Sequence, residues 1–300
     1  MMGQPDAAAL EAAAALLEAS QDYRVLRRLQ PRAPVTGIPE QDTRVGLFVD
    51  VETTGLDPSK DEIIELAMVP FRYSLEGIIV DVGEAFDRLR EPSAPIPASI
   101  TALTGISDAM VAGQRIDPDE VTQFALSAAV VIAHNAAFDR KFLERFCPSF
   151  SLKPWACSMS EIDWAAEGFE GTKLVYLAVG CGFFYDRHRA ANDCLAAMEV
   201  LSRSLPKSGV NALGHLLARA RLPTWRIWAE GSPFEFKDKL KSRGYRWNGE
   251  EDGRPRAWYI DVTDEQREAE LAFLKKEIYQ RDVDLKPSRI TAYERFSDRV

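Results

Sequence analysis

Three hundred residues, 46% of them hydrophobic, suffice for a sizeable core and predict more than one domain. The 46 acids outnumber the 37 Lys and Arg, and a net charge of −9 argues against a protein that coats long stretches of nucleic acid, though not against one that grips it locally through bound cations. Cys147, Cys157, Cys181 and Cys194 show no metal-site spacing, no apolar run reaches the roughly 18 residues that cross a bilayer, and no basic segment precedes the Ala-rich start; a cytoplasmic protein with no disulfide, membrane span or signal peptide is expected.

Residues 5–29 read as a helix, with Tyr23, Leu26 and Leu29 continuing its stripe. Its Arg24, Arg27 and Arg28 could meet phosphate, but such a cluster more often forms the solvated side of a helix. Pro31, Pro34 and Pro39 mark a linker, so 1–43 is expected as an N-terminal helical segment and linker. Strands follow at Val45–Val49, Ile63–Tyr73 and Ile78–Phe86, the last two joined by a turn at Ser74–Gly77. After the Pro-rich loop Pro92–Pro97, helices are expected over Ile100–Gly113 and Pro118–Ala128, a buried strand at Val130–Ala133, and a helix over Ala136–Phe146 with Phe138, Phe142 and Phe146 on one face. Two more helices are read at Lys173–Val179 and Ala190–Ser204. The pattern predicts an α/β fold, a mixed sheet flanked by helices, over residues 44–205. Pro206–Gly209 breaks it. A connecting segment, 206–221, with a helix from Val210, leads to a small basic and aromatic α+β domain at 222–300. That domain is read as a hairpin, Tyr245–Trp247 and Ala257–Val262 around the charged turn 250–253, followed by a helix over Asp264–Tyr279.

The first strand ends in two carboxylates, in Phe48-Val-Asp-Val-Glu-Thr-Thr-Gly55. Positions i and i+2 of a strand face the same way, so Asp50 and Glu52 project together. Like charges so placed are costly unless a cation sits between them, and a divalent metal is the obvious candidate. Asp139 falls in the first turns of the helix that follows Val130–Ala133, with Asn135 as a reasonable cap; alone, it could equally be a surface acid. Asp193 sits early in the helix from Ala190. His188 precedes it by five residues, which puts the two on different helix faces and the histidine on an entry loop; a lone histidine is more often structural.

Taken in order, these motifs resemble the DnaQ-like, or DEDD, family of 3′–5′ exonucleases in its histidine subclass. Asp50 and Glu52 with Thr53-Thr54-Gly55 match the first family motif, Asp139 with Asn135 the second, and His188 with Asp193 the third; Leu103-Thr-Gly-Ile106 resembles the connection between the first two. The tyrosine subclass would place Tyr where Arg189 stands. The resemblance spans about residues 44–204 and implies an RNase H-like fold. It also implies two Mg2+ or Mn2+ ions held by Asp50, Glu52, Asp139 and Asp193, with Asp50 bridging, Asp139 in support, and His188 as general base. Thr53, Thr54, Gly55, Leu56 and Asn135 are implied in substrate binding, Leu56 as an apolar wedge against the last base.

The expected function is therefore metal-dependent removal of nucleoside 5′-monophosphates from nucleic-acid 3′ ends, single-stranded or frayed, in DNA replication or repair with a possible polymerase or repair partner. An exoribonuclease, or a noncatalytic scaffold on the same fold, are the alternatives; the intact acids disfavour the scaffold. In the C-terminal domain, Pro233–Trp247 carries five Lys or Arg against two acids and could hold single-stranded nucleic acid near the catalytic site, with Tyr245 or Trp247 stacking on bases. Its aromatics could equally form its own core, the favoured reading for Trp247 and Trp258.

Overall fold

The computed structural model describes residues 6–249, 251 and 253–300; Pro5, Glu250 and Asp252, included in the helix and turn expected there, lie outside the described residues. The first helix, α1, covers only Ala7–Glu18, capped by Asp6, and none of its residues is buried. The stripe from Tyr23 to Leu29 belongs to no helix. Instead the chain runs extended, and β1 (Arg27–Arg28) pairs in parallel with β8 (Phe183–Phe184). Leu29 reaches the core while Tyr23 stays exposed.

The main sheet is built on β2 (Thr43–Thr53) and β3 (Ile63–Ser74), antiparallel along their full length. The strand expected at Ile78–Phe86 is two strands, β4 (Ile79–Val82) and β5 (Phe86–Leu89), both on the outer edge of β3. The break has a chemical cause. Gly83 stands opposite Pro70 and donates to its carbonyl at 2.8 Å, but Pro70 has no N–H to return the second bond of the pair. The turn between β3 and β4 forms as read: Gly77 takes φ +89°, and its backbone packs so closely on Gly214 that a Cβ on Gly77 would sit 2.2 Å from the Gly214 nitrogen.

Helices α2 (Ala98–Thr104), α3 (Asp108–Val111) and α4 (Pro118–Ser127) follow, the first two separated at Gly105 where one helix was expected. Strand β6 (Val130–Ala133) and helix α5 (Ala136–Phe146) have the expected bounds. Strand β7 (Trp155–Cys157) is too short to register as a pattern and adds in parallel to β6, giving the order β4-β3-β2-β6-β7. Helices α6 (Leu174–Gly180), α7 (Ala190–Leu201) and α8 (Ala212–Arg221) complete this part. The alternation of β2 divides two cores: Leu47, Val49 and Val51 pack with α4 and α5, and Phe48 packs with α6, α7 and α8.

A second antiparallel sheet, β10-β11-β9-β12, comprises β9 (Thr224–Ala229), β10 (Arg246–Trp247), β11 (Trp258–Val262) and β12 (Ser288–Ile290), with α9 (Lys237–Ser242) between the first two. Helix α10 (Asp264–Phe273) continues to Tyr279 as a π-helical turn and, with Leu274 and Ile278, closes a small core over Ile227, Ala229 and Val262. Trp258 packs on this core, but Trp247, expected inside, is 54% exposed at the sheet edge. Tyr245 is buried and donates to Glu270, so it is not a free stacking surface. The basic segment is partly neutralised within the fold: Arg243 pairs with Glu270 at 2.9 Å and Lys239 with Glu277 at 2.7 Å. Residues 291–299 then return to the main sheet, where Ala292 accepts from Trp155 at the start of β7. They attach at the end of the sheet where β2 begins, beside Arg44 and Tyr73. At about 3.3 Å per residue, seven residues of β2 separate Val45 from Glu52 by roughly 23 Å, so the small sheet joins the end opposite the acids.

Candidate active site

Asp50 and Glu52 follow Phe48 along β2 and therefore face α7. Asp193, in the first turn of α7, meets them there: one carboxylate oxygen from each of the three acids lies within 4.8 Å of the others. Asp139 stands outside this triangle. It belongs to α5, on the other face of the sheet, and reaches over the end of β2, where its Oδ1 accepts the Val51 N–H at 3.2 Å. Asn135 occupies the N-cap position of α5 but its side chain makes no cap bond.

His188 lies on the loop two residues before α7, with its backbone at φ +60°. That region is uncommon for a residue with a side chain, and it is tolerated where the surroundings fix it. The fixing residues are Arg189 and Glu65. Glu65 sits on β3 directly across from Glu52, fully buried, and takes Arg189 Nε at 2.8 Å and the Ala190 N–H at 2.9 Å. The His188 imidazole makes no hydrogen bond to the described residues. Asp193 is held on both oxygens, by Tyr185 Oη at 2.8 Å and the Arg189 N–H at 3.2 Å.

The electrostatics follow from this crowding. Burial, then repulsion from Asp139, Asp193, Glu52 and Glu65, drives the Asp50 carboxyl far above its ordinary value. Burial and then Asp193 push Glu52 up to about 8. Burial lifts Asp139 to about 7 against the opposing Val51 N–H, and raises Asp193 against the Tyr185 hydroxyl. The cluster holds its full negative charge cheaply only beside a cation, and its all-oxygen donor set suits a hard divalent ion.

The loop after β2 is braced from within. Thr53 is buried and donates to Gly55 O at 2.6 Å, and Thr54 Oγ accepts from Glu62 N at 3.0 Å. A Cβ on Gly55 would lie 2.5 Å from the Asp61 carboxylate, so glycine is required there by Asp61 whatever else approaches. Leu56 projects, 83% exposed. His134 is structural: its ring bonds Ser158 Oγ at 2.9 Å and Thr172 O at 2.8 Å, and burial lowers it to about 4. Tyr185, Glu65 and Arg189 are the groups that sequence motifs did not find. An acid inside the apolar run Ile63–Val69 was the available signal for Glu65.

A family profile described as exonuclease matches residues 47–201, just over half the chain. A PolC-type DNA polymerase III of Caldanaerobacter subterraneus is 30% identical over 67% of this chain and 15% of that protein. A DNA polymerase III subunit epsilon-like protein of Rhodobacter capsulatus is 35% identical over 57% of this chain and 26% of its own length. The DNA polymerase III subunit epsilon of Aquifex aeolicus is 30% identical over 53% of this chain and 79% of its own. The chain thus spans about a seventh and a quarter of the first two relatives. No helix among the described residues is long and apolar enough to cross a membrane.

Proposed function

The chain belongs to the exonuclease family, and on that premise we propose that it hydrolyses nucleic acid stepwise from the 3′ end, releasing nucleoside 5′-monophosphates, with DNA as the preferred substrate. The observation that carries the reading is the convergence of Asp50, Glu52 and Asp193 beside the histidine loop. These three acids would hold a pair of Mg2+ or Mn2+ ions, with Asp139 in support. When bound, the ions supply positive charge to the entering and leaving oxygens of the phosphodiester.

The chain's own groups do the rest. His188, on a backbone fixed through Arg189 and Glu65, takes the proton of the attacking water, a task suited to imidazole. Leu56 offers an exposed apolar edge to the terminal base, and Thr54, Gly55 and Asn135 are the further groups we assign to binding it. The Thr53 hydroxyl is engaged with Gly55, so its part is to shape the loop. The relatives named as a PolC-type DNA polymerase III and as a DNA polymerase III subunit support DNA over RNA and a polymerase partner. The small sheet is attached opposite the acids, and Lys237, Lys241 and Arg246 have no acidic partner among the described residues, which supports a remote grip on longer strands rather than a wall of the site.

The test is a set of 5′-labelled DNA and RNA oligonucleotides with Mn2+. Wild type should shorten DNA faster than RNA, and Asp50→Ala and His188→Ala should lose activity by at least about a hundredfold. Undiminished turnover in both variants would remove the catalytic assignment, and faster turnover of RNA would reverse the substrate preference.

A further inference from the structure

Arg140, the residue after Asp139, is fully buried where residues 291–299 cross α5. Its guanidinium donates to the carbonyls of Ala292 at 3.2 Å, Tyr293 at 2.5 Å and Arg295 at 2.7 Å. Its Nε bonds Glu144 at 2.6 Å, and the group lies 5.4 Å from the Trp155 ring centre. Two further pairs tie the same segment down, Arg299 to Glu144 at 2.7 Å and Lys141 to Asp298 at 2.8 Å. Phe296 sits at φ +71°, a strained setting for a bulky residue, with its side chain against the core that contains Phe142 and Leu143 of α5. Strain of that kind persists only where packing on all sides enforces it.

Helix α5 needs such an anchor. Its N-terminus has no side-chain cap, yet Asp139 must reach across the end of β2 to the Val51 N–H. The axial setting of the helix decides that reach. We propose that Arg140 is a positioning residue for Asp139, and that segment 291–299 is the lock that sets it, so that the second catalytic motif takes its geometry from the far end of the chain. The proposal rests on the exonuclease reading. A lysine at 140 keeps the charge but cannot fork to three carbonyls in one plane, and this makes Arg140→Lys the discriminating variant.

Three variants test it: Arg140→Lys, removal of residues 291–300, and both together. Each should leave KM for a 5′-labelled oligonucleotide within about twofold and lower kcat roughly ten- to a hundredfold, the scale of a 1 Å misplacement. The combined variant should be no worse than either alone, because both remove one coupling. Hydrogen exchange over residues 136–146 should rise in all three, whereas Asp139→Asn should abolish turnover without raising it. Should Arg140→Lys not fold, Arg299→Ala loosens the same segment more gently and carries the same readouts. A folded Arg140→Lys with wild-type kcat, or losses that add in the combined variant, overturns the proposal. If wild type degrades no nucleic acid, the exonuclease reading has failed on its own, and unchanged exchange over 136–146 then refutes the lock separately.

Discussion

Glu52 keeps its proton to about pH 8 in the cation-free fold because burial and Asp193 both oppose its charge. The unfolded chain releases that proton near the ordinary 4.5, so the folded state binds more protons across the interval. Stability without cations should therefore fall as pH rises from about 4.5 to about 8, by several degrees in Tm. Added Mn2+ should restore more of it the higher the pH. Thermal melts in EDTA and in Mn2+ across that range check this, and two parallel curves would contradict it. Tyr185→Phe removes the hydroxyl that steadies Asp193 Oδ1. The Mn2+ concentration for half-maximal activity should rise roughly tenfold, as for other loss of support behind a metal ligand, with little change in metal-free Tm. Asp50, Glu52 and Asp193, which the structure brings together, were legible because their spacings lie within short motifs. Tyr185, eight residues before Asp193, and Glu65, on another strand, belong to no such spacing, and only the assembled sheet brings them to the site.

At the scale of elements, the strands and helices that carry the acids follow from periodicity and flanking turn residues. What escaped the sequence was pairing. Residues 23–29 continue a helical stripe, yet the backbone bonds to Gly182 and Phe184 prevail, and no local pattern announces a partner more than 150 residues away. The same holds for the Pro70 gap in the edge of β3. Helix α1 buries nothing and is tied by the exposed pairs Arg27–Glu11 at 3.0 Å and Arg27–Glu18 at 2.5 Å. Such pairs contribute on the order of 0–1 kcal/mol. Removing residues 1–20 should accordingly shift Tm by less than about 3 °C and leave kcat intact. A large loss of stability on that deletion would show that α1 has a role in the fold its burial does not suggest.

For the whole molecule, the two sheets do not behave as beads on a string. The buried pair Arg295–Glu161 and the Arg140 cluster bind the last residues of the chain into the main sheet. Denaturant should unfold both sheets in a single transition, with amides of β2 and β9 losing exchange protection together; protection in β9 lost at clearly lower denaturant would show that they part independently. A cut at residue 221 is thus not a clean excision, because it strips Arg140 of three carbonyl acceptors and leaves Glu144 as its remaining hydrogen-bond partner, at about 1–3 kcal/mol for each donor left unsatisfied. The sequence placed a boundary there from composition alone, and composition carries no trace of a ten-residue return.

That return also sets an order in time. A ribosome releases the residues of the nuclease first, and domains ordinarily fold as they emerge. Here the helix bearing Asp139 waits for residues 292–295, more than 150 residues further along. A nascent chain arrested before residue 292 emerges should carry every motif acid and yet cleave poorly, so that the activity matures only after the small sheet has been made.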